Sequence, residues 1–204
     1  MLHLRLNLIA AGPPGLDECV KYIEGELRPA LESQPGSLGL SLLISPSLGV
    51  AVFESFWASA QALHASMQAP GSLHAELERR AQAPVTDEQY RILVFEREGP
   101  LRGGEAVRLT RMQAKPSAVE EIAEAFGDSA VPWLAESPGF RQALLLADPD
   151  SRHLISQTAW QDTQARAASP STAAVIQADV LNASDCVIRA VEDYSLVFSS
   201  ARKP

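Results

Sequence analysis

Apolar and polar residues alternate over residues 2–10, and this pattern predicts a β-strand at the start of the chain. From Gly15 onward the apolar residues recur with a helical period, at Leu16, Val20, Ile23, Leu27 and Leu31. Pro35-Gly36 ends the predicted helix. Pro29 falls inside it and is expected to kink or break it, because proline lacks the amide hydrogen that a helix interior uses.

Two β-rich runs follow, over residues 38–45 and 50–57, and the PSLG turn between them predicts a hairpin. A second helix is expected after Trp57, interrupted near Pro70-Gly71, and residues 89–97 close the unit as a strand. The predicted order is βαββαβ, which is the order of the ferredoxin-like fold.

The chain repeats these signals at an offset of 103 residues, the distance from Trp57 to Trp160. The matched prolines and glycines are Pro13 with Pro116, Pro29 with Pro132, Pro35-Gly36 with Pro138-Gly139, and Pro46 with Pro149. Since proline and glycine mark backbone conformation, their recurrence in one register indicates a tandem duplication. We therefore predict two domains, 1–98 and 104–204, joined by a glycine-rich linker. In the second copy, Ser117 and Glu120 predict a capping box at the start of the first helix.

One βαββαβ unit leaves an apolar sheet face that must be covered. Two copies in one chain can cover each other, so the predicted fold class is α+β, with two ferredoxin-like units packed sheet to sheet. The expected architecture is an intrachain pseudo-dimeric α/β barrel. A protein that covers its own sheets is expected to be a monomer or a weak homodimer.

Charge and composition narrow the classes of partner. The formal net charge of −8 argues against a nucleic-acid partner, because phosphate contacts need a basic surface. No apolar run approaches the roughly 18 residues of a membrane span, and the polar residues in the first strand argue against a signal peptide. We therefore expect a cytoplasmic protein without a membrane partner, in which Cys19 and Cys186 are free thiols.

The sequence resembles the dimeric α/β-barrel superfamily, specifically the antibiotic-biosynthesis-monooxygenase-like domain. The resemblance rests on the Pro-Gly after the first helix (Pro35-Gly36, Pro138-Gly139), on the hairpin, and on the tryptophan that precedes a helix start at Ser59–Leu63. It implies a ligand pocket between the sheet and the helices of one half. It also implies that relatives include cofactor-independent oxygenases of phenolic or quinone-forming substrates, and haem-degrading enzymes.

Three residues are candidates for a catalytic site, namely Asn7, Trp57 and His64. Trp57 is first of all a core residue, since both copies keep it, but the resemblance implies that a tryptophan at this corner lines the pocket. Asn7 is unusual inside a strand. His64 is either a base for an acidic phenol or a surface histidine. Tyr22 is either boundary core or a hydrogen-bond donor in the pocket.

We predict a cofactor-independent monooxygenase-like protein that acts on a small planar oxygenated compound of phenolic or quinone type. The alternative is a non-catalytic small-ligand-binding module of the same fold. Haem binding is a third reading, disfavoured because Ser66 stands where the haem-degrading relatives have a tryptophan. The predicted ligand site lies in residues 1–98, since the offset converts Asn7 to Thr110 and His64 to Ala167. The second copy has His153 and Ser156 in place of Val50 and Phe53, which indicates either a second, different pocket or exposed hairpin residues. No cofactor, metal or nucleotide-binding motif is recognised.

Overall fold

The computed structural model describes residues 1–67, 73–169 and 186–202. The first part contains β1 (His3–Ala10), α1 (Pro13–Tyr22), a π-helical segment (Ile23–Leu27), α2 (Arg28–Glu32), β2 (Ser37–Ser45), β3 (Val50–Trp57), α3 (Ala60–Met67), α4 (Leu73–Ala81) and β4 (Glu88–Arg97). The rest contains β5 (Ala106–Gln113), a 3₁₀ turn (Pro116–Ala118), α5 (Val119–Ala125), a second π-helical segment (Phe126–Ala130), α6 (Val131–Ala135), β6 (Phe140–Ala147), β7 (His153–Trp160), α7 (Thr163–Ala168) and β8 (Val187–Ser199).

The chain forms two compact units. Unit 1 comprises Met1–Tyr90 with Leu196–Pro204, and unit 2 comprises Arg91–Ser195. The strands β4 and β8 are therefore each divided between the units. The repeat boundaries at 98 and 104 remain a sequence prediction. The compact units have other bounds, since unit 2 begins at Arg91 within β4 and the end of β8 from Leu196 belongs to unit 1.

The sheet of unit 1 is antiparallel, with β3 paired to β1 on one side and to β2 on the other. The end of the chain continues it, since the amide of Ser200 donates to the carbonyl of Leu40 at 2.8 Å. In unit 2, β5 pairs with β7 and β8, and β6 pairs with β7 and β4. The eight strands form one closed antiparallel barrel, in the order β1-β3-β2-β8-β5-β7-β6-β4. The predicted α+β barrel fold is confirmed.

Each unit has an apolar core on the helix-facing side of its sheet. The core of unit 1 includes Ile9, Cys19, Ile23, Leu27, Leu42, Phe53, Trp57 and Leu63. The core of unit 2 includes Met112, Ile122, Phe126, Leu134, Phe140, Leu145, Leu154 and Trp160. Both cysteines are buried free thiols, as expected, and burial raises the pKa of each. No helix among the described residues is long and apolar enough to cross a membrane.

Pro29 does not break the helical region, so this alternative of the sequence prediction was wrong, while the expected kink remains a prediction. The helical region continues from α1 through the π-helical segment into α2, where Pro29 occupies the first turn. The amide of Arg28 donates to the carbonyl of Ile23, five residues earlier. The wider turn accommodates a proline that lacks an amide hydrogen. The same segment recurs 103 residues later, before Pro132.

The predicted capping box is also wrong. Pro116–Ala118 forms a 3₁₀ turn, and α5 then begins after Ala118 with no side chain capping it. The hairpin, by contrast, is observed where it was predicted. The amide of Leu48 donates to the carbonyl of Ser45, and Gly49 has a positive φ of 66°. The break expected at Pro70-Gly71 lies outside the described residues.

The buried carboxyl group of Glu105 is expected to make the free energy of unfolding depend on pH. Its side chain is buried, Oε2 has no hydrogen-bond partner, and the nearest described cation is Arg141, whose Nε lies 3.4 Å from Oε1. Burial raises the pKa of Glu105 above 4.5, against the opposing effect of Arg102 and Arg141. The folded state therefore binds more protons than the unfolded state above pH 4.5. We expect stability to fall as pH rises from that value to the folded pKa.

The measurement is the urea midpoint of wild type and Glu105→Gln across that pH window. The advantage of the glutamine variant should grow as pH rises through the window and become constant above it. A difference that is independent of pH would contradict the raised pKa.

Candidate functional site

The two corner tryptophans are built into their units in the same way. Trp57 and Trp160 are each only 1% exposed. The indole Nε1 of Trp57 donates to Ser55 Oγ at 2.9 Å, and that of Trp160 lies 3.4 Å from Thr158 Oγ1. Each partner is two residues earlier on the same strand, hence on the same sheet face. Both tryptophans are therefore core residues whose indole N–H has a hydrogen-bond acceptor on the same strand.

The Pro-Gly motif lies at the same corner, where neighbouring atoms leave no space for a side chain on the glycine. Gly36 has a φ of +82°, and a Cβ built on it would lie 2.6 Å from Cβ of Ala62 on α3. Its carbonyl accepts from the amide of Ala58 at 2.9 Å. In unit 2, Gly139 has a φ of +81° and faces Ala165 at 2.7 Å. Glycine is required here because both the backbone conformation and the space exclude a side chain.

Asn7 is buried, with 4% of its surface exposed, and it has a structural partner. Its Nδ2 donates to the carbonyl of Thr86 at 2.8 Å. The amide of Thr86 donates in turn to the carbonyl of Leu8, and Thr86 Oγ1 accepts from the amide of Leu8, both at 3.0 Å. These three hydrogen bonds hold the segment before β4 against β1. The neighbouring Arg5 pairs with Asp87 through two hydrogen bonds.

Asn7 and Trp57 lie on the same face of the sheet but not side by side. Asn7 is opposite Phe53 in the register, and Trp57 is opposite His3. Phe53 and Trp57 belong to the helix-facing core. Four residues along a strand correspond to about 13 Å, so Phe53 lies level with Asn7 and Trp57 lies at the far end of the strand.

His64 lies on α3, which packs against β1 and β3. Its side chain is exposed, whereas the adjacent Leu63 is buried. Ser66, on the same helix, is buried and donates to the carbonyl of Leu63 at 2.6 Å. The structure therefore brings Asn7 and Trp57 to one sheet face and places His64 on the solvent side of the helix above it. The catalytic roles of all three remain predictions.

Tyr22 is buried beside Arg80, whose guanidinium lies 4.4 Å above its ring. Burial raises the pKa of Tyr22. Arg80 also binds Glu76, and hydrogen bonds from Arg79 and Arg80 lower the pKa of that carboxyl to about 2. These contacts connect α1 to α4, so Tyr22 has a structural role in this unit.

Two cavities open elsewhere in the units. One of about 480 Å³ lies in unit 1 between the start of α1 and the end of α4, and includes Gly12, Gly15 and Arg80. The other, of about 460 Å³, lies in unit 2 beside α7, and includes Gly139, Gln161 and Asp162. None of the three predicted catalytic residues lines either of these two cavities.

The helix-facing side of unit 2 differs from that of unit 1. Thr110, at the position of Asn7, is 1% exposed, and its hydroxyl has no hydrogen-bond partner in the described part of the chain. It lies opposite Ser156 in the register, where unit 1 has Phe53. The strand pair that carries the bulky side chain of Phe53 in unit 1 thus carries two hydroxyl side chains, Thr110 and Ser156, in unit 2.

Two arginines share one carboxylate on this same side of unit 2. Arg108 Nε lies 3.1 Å from one oxygen of Asp193, and Arg166 lies 3.3 Å from the other. Nε of Arg166 is buried without a partner. Sequence reasoning missed this cluster, although the 103-residue offset pairs Arg166 with Leu63 and could have shown the change. Within the described ranges, no group of three or more histidine, cysteine, aspartate or glutamate side chains could hold a metal ion.

Comparison with protein-family models finds no match. The uncharacterised protein Rv2558 of Mycobacterium tuberculosis strain H37Rv is 26% identical over 207 residues, covering 100% of this chain and 87% of that protein. The uncharacterised protein Rv2557 of the same strain is 24% identical over 165 residues, covering 81% and 74%. These relatives extend the sequence likeness over the full chain without assigning an activity.

Solved structures share the fold. A candidate monooxygenase from Lactobacillus acidophilus NCFM aligns with a TM-score of 0.70 at 12% identity, covering 98% of this chain and 94% of that one. An anthrone oxidase-like protein aligns with a TM-score of 0.69 at 17% identity, covering 97% and 92%. The haem-degrading enzyme LmHde from Listeria monocytogenes aligns with a TM-score of 0.51 at 11% identity, covering 95% and 98%. At these identities the likeness concerns the fold alone.

Proposed function

The chain has the dimeric α/β-barrel fold of the antibiotic-biosynthesis-monooxygenase type, and from that premise we propose a cofactor-independent monooxygenase-like activity. The proposed substrate is a small planar oxygenated compound of phenolic or quinone type. The observation that carries the proposal is the likeness over nearly the whole chain to an anthrone oxidase-like protein and to a candidate monooxygenase.

The proposed reaction begins with loss of a proton from the electron-rich substrate. The resulting carbanion gives an electron to dioxygen, and the two radicals combine to form a carbon–oxygen bond. Uptake of a proton gives a hydroperoxide, which loses water and leaves a quinone-type carbonyl. The substrate is oxidised and dioxygen is reduced, so the protein supplies only binding, proton transfer and exclusion of water.

The proposed site is the helix-facing side of unit 1 between Asn7 and Trp57. Phe53 lies opposite Asn7 in the register and offers an aromatic surface to a planar ring. Asn7 would hydrogen-bond a substrate oxygen, and Trp57 would stack against its ring or donate to it. His64 is exposed on α3, so it would accept the substrate proton after turning toward the sheet and would then pass it to solvent.

One observation favours the alternative of a non-catalytic ligand-binding module. The donor groups of Asn7 and Trp57 are already bonded to Thr86 and Ser55. A ligand that used the single indole N–H of Trp57 would have to break its internal hydrogen bond, and Asn7 keeps only one of its two amide hydrogens for a ligand. A binding module that relies on apolar contacts alone has no such requirement.

The test is oxygen uptake with anthrone and with hydroquinone, compared for wild type, Trp57→Phe, Trp160→Phe and His64→Ala. Removal of a general base lowers the rate by about 10²–10⁴-fold, and this loss is expected for His64→Ala without a change in melting temperature, since the side chain is exposed. Trp57→Phe should lower turnover. Trp160→Phe is the matched control and should retain it.

The outcomes separate the three candidate functions. Product formation that survives His64→Ala would remove this residue as the base. Binding of anthrone without oxygen uptake would favour the binding module and end the catalytic proposal. A Soret band on addition of haem would favour the third reading.

A further inference from the structure

We propose that unit 2 contains a binding site for a small organic carboxylate, formed by Arg108, Arg166 and Thr110. The proposal goes beyond the activity proposed above, since it concerns another unit and other residues. It rests on an excess of positive charge, on two buried polar atoms without partners, and on the contrast with unit 1.

The excess charge comes from two guanidinium groups around one carboxylate. Arg108 and Arg166 are each only 16% exposed, and both approach Asp193. In unit 1, Arg5 has a carboxylate of its own, Asp87. Among the residues that the structure describes, two positive charges therefore share one negative charge in this cluster, in a chain whose net charge is −8. A partly buried charge of this kind is stabilised by a counter-ion.

Two buried polar atoms of these residues have no hydrogen-bond partner within residues 1–67, 73–169 and 186–202. They are Thr110 Oγ1 and Arg166 Nε. Thr110 follows Arg108 by two residues on β5, so the two side chains lie on the same face of the strand. A buried donor that is left unpaired costs about 1–3 kcal/mol, so both atoms favour a ligand that accepts hydrogen bonds.

The contrast with unit 1 shows that this face is not required by the fold. At the 103-residue offset, Arg166 replaces Leu63, a residue of the unit 1 core. Ser156 replaces Phe53, which removes a ring beside Thr110. The same scaffold thus packs apolar side chains in unit 1 and carries hydrogen-bonding groups in unit 2.

The geometry selects a carboxylate. Guanidinium groups bind carboxylates with two charge-assisted hydrogen bonds, and a hydroxyl adds a third. Asp193 shows that both arginines can reach one carboxylate, since each of its two oxygens faces a different arginine. Because Asp193 is 44% exposed, it can turn toward solvent when a ligand carboxylate takes its place.

The experiment is a calorimetric titration of the full chain with benzoate, with benzamide as the neutral analogue and inorganic phosphate as a second anion. Wild type should bind benzoate with an affinity that falls as salt is added, and should not bind benzamide. Arg166→Leu restores the unit 1 residue and should weaken benzoate binding about tenfold or more. Leu63→Ala in unit 1 is the control and should leave that binding unchanged. Phosphate binding equal to that of benzoate would overturn the carboxylate assignment and leave only a general anion site.

Asp193→Asn separates a ligand site from an internal ion pair. If Asp193 occupies the place of the ligand carboxylate, this variant should bind benzoate several-fold more tightly than wild type. If the arginines serve only to hold Asp193, the variant should lose stability and gain no affinity, and the proposal fails. It also fails if wild type binds no benzoate, or if Arg166→Leu binds it as wild type does. These outcomes do not depend on oxygen uptake.

Discussion

Gly36→Ala is expected to lower the free energy of unfolding by about 2–5 kcal/mol, the sum of a strained backbone and an overfilled contact. The φ of +82° disfavours any residue with a Cβ, and the added methyl would lie 2.6 Å from Cβ of Ala62. The measurement is chemical denaturation of wild type and variant. Gly139→Ala should behave in the same way in unit 2, because its φ and its contact with Ala165 are nearly the same.

Gly99→Ala is the matched control for the backbone alone. Its φ is +74°, but nothing lies within 4 Å of the position that its Cβ would take. The difference between Gly36→Ala and Gly99→Ala therefore measures the steric part. Combining Gly36→Ala with Ala62→Gly should recover that part, less about 1 kcal/mol for glycine in a helix. Equal losses for Gly36→Ala and Gly99→Ala would contradict the contact.

Asn7→Ala is expected to lower the free energy of unfolding by about 0.5–1.5 kcal/mol, the net contribution of the part-buried hydrogen bond that it removes. That bond joins Asn7 Nδ2 to the carbonyl of Thr86 at 2.8 Å. The hydrogen bond to Thr86 therefore gives Asn7 a part in the stability of unit 1 that is independent of any ligand.

The matched variant in unit 2 is Thr110→Val, which keeps the shape of the side chain and removes its unpartnered hydroxyl. It should be neutral or stabilising in the absence of a ligand. Thermal and urea unfolding of both variants check this pair of expectations. A loss at Thr110→Val as large as that at Asn7→Ala would mean that the hydroxyl has a partner after all.

The regular elements could be predicted from the sequence because their signals are local. Alternation identified β1, the turn residues identified the β2–β3 hairpin, and the Pro-Gly pairs identified the ends of two helices. The 103-residue offset also recurs in the observed bounds, as in Val50–Trp57 and His153–Trp160. A period, a turn and a forbidden backbone conformation each depend on a few neighbouring residues.

Local sequence signals misled where the same residues are compatible with two backbone conformations. Pro29 is compatible with a broken helix or with a π-helical turn. The turn is observed, and it lets Cys19 before it and Leu31 after it pack into the same core. The Ser117-Glu120 pattern is compatible with a capping box, but the 3₁₀ turn at Pro116–Ala118 moves the start of α5 past Ser117.

The sequence by itself determined the fold class and indicated a repeat at an offset of 103 residues, since both depend on spacing and on the backbone limits of proline and glycine. Only the tertiary structure decided what the polar residues contact. Asn7 bonds to Thr86, 79 residues away, and Arg108 meets Asp193, 85 residues away. Such partners are chosen by strand register and by the faces of packed elements, and no local pattern encodes them. The physical meaning of a buried polar residue therefore comes from the fold around it.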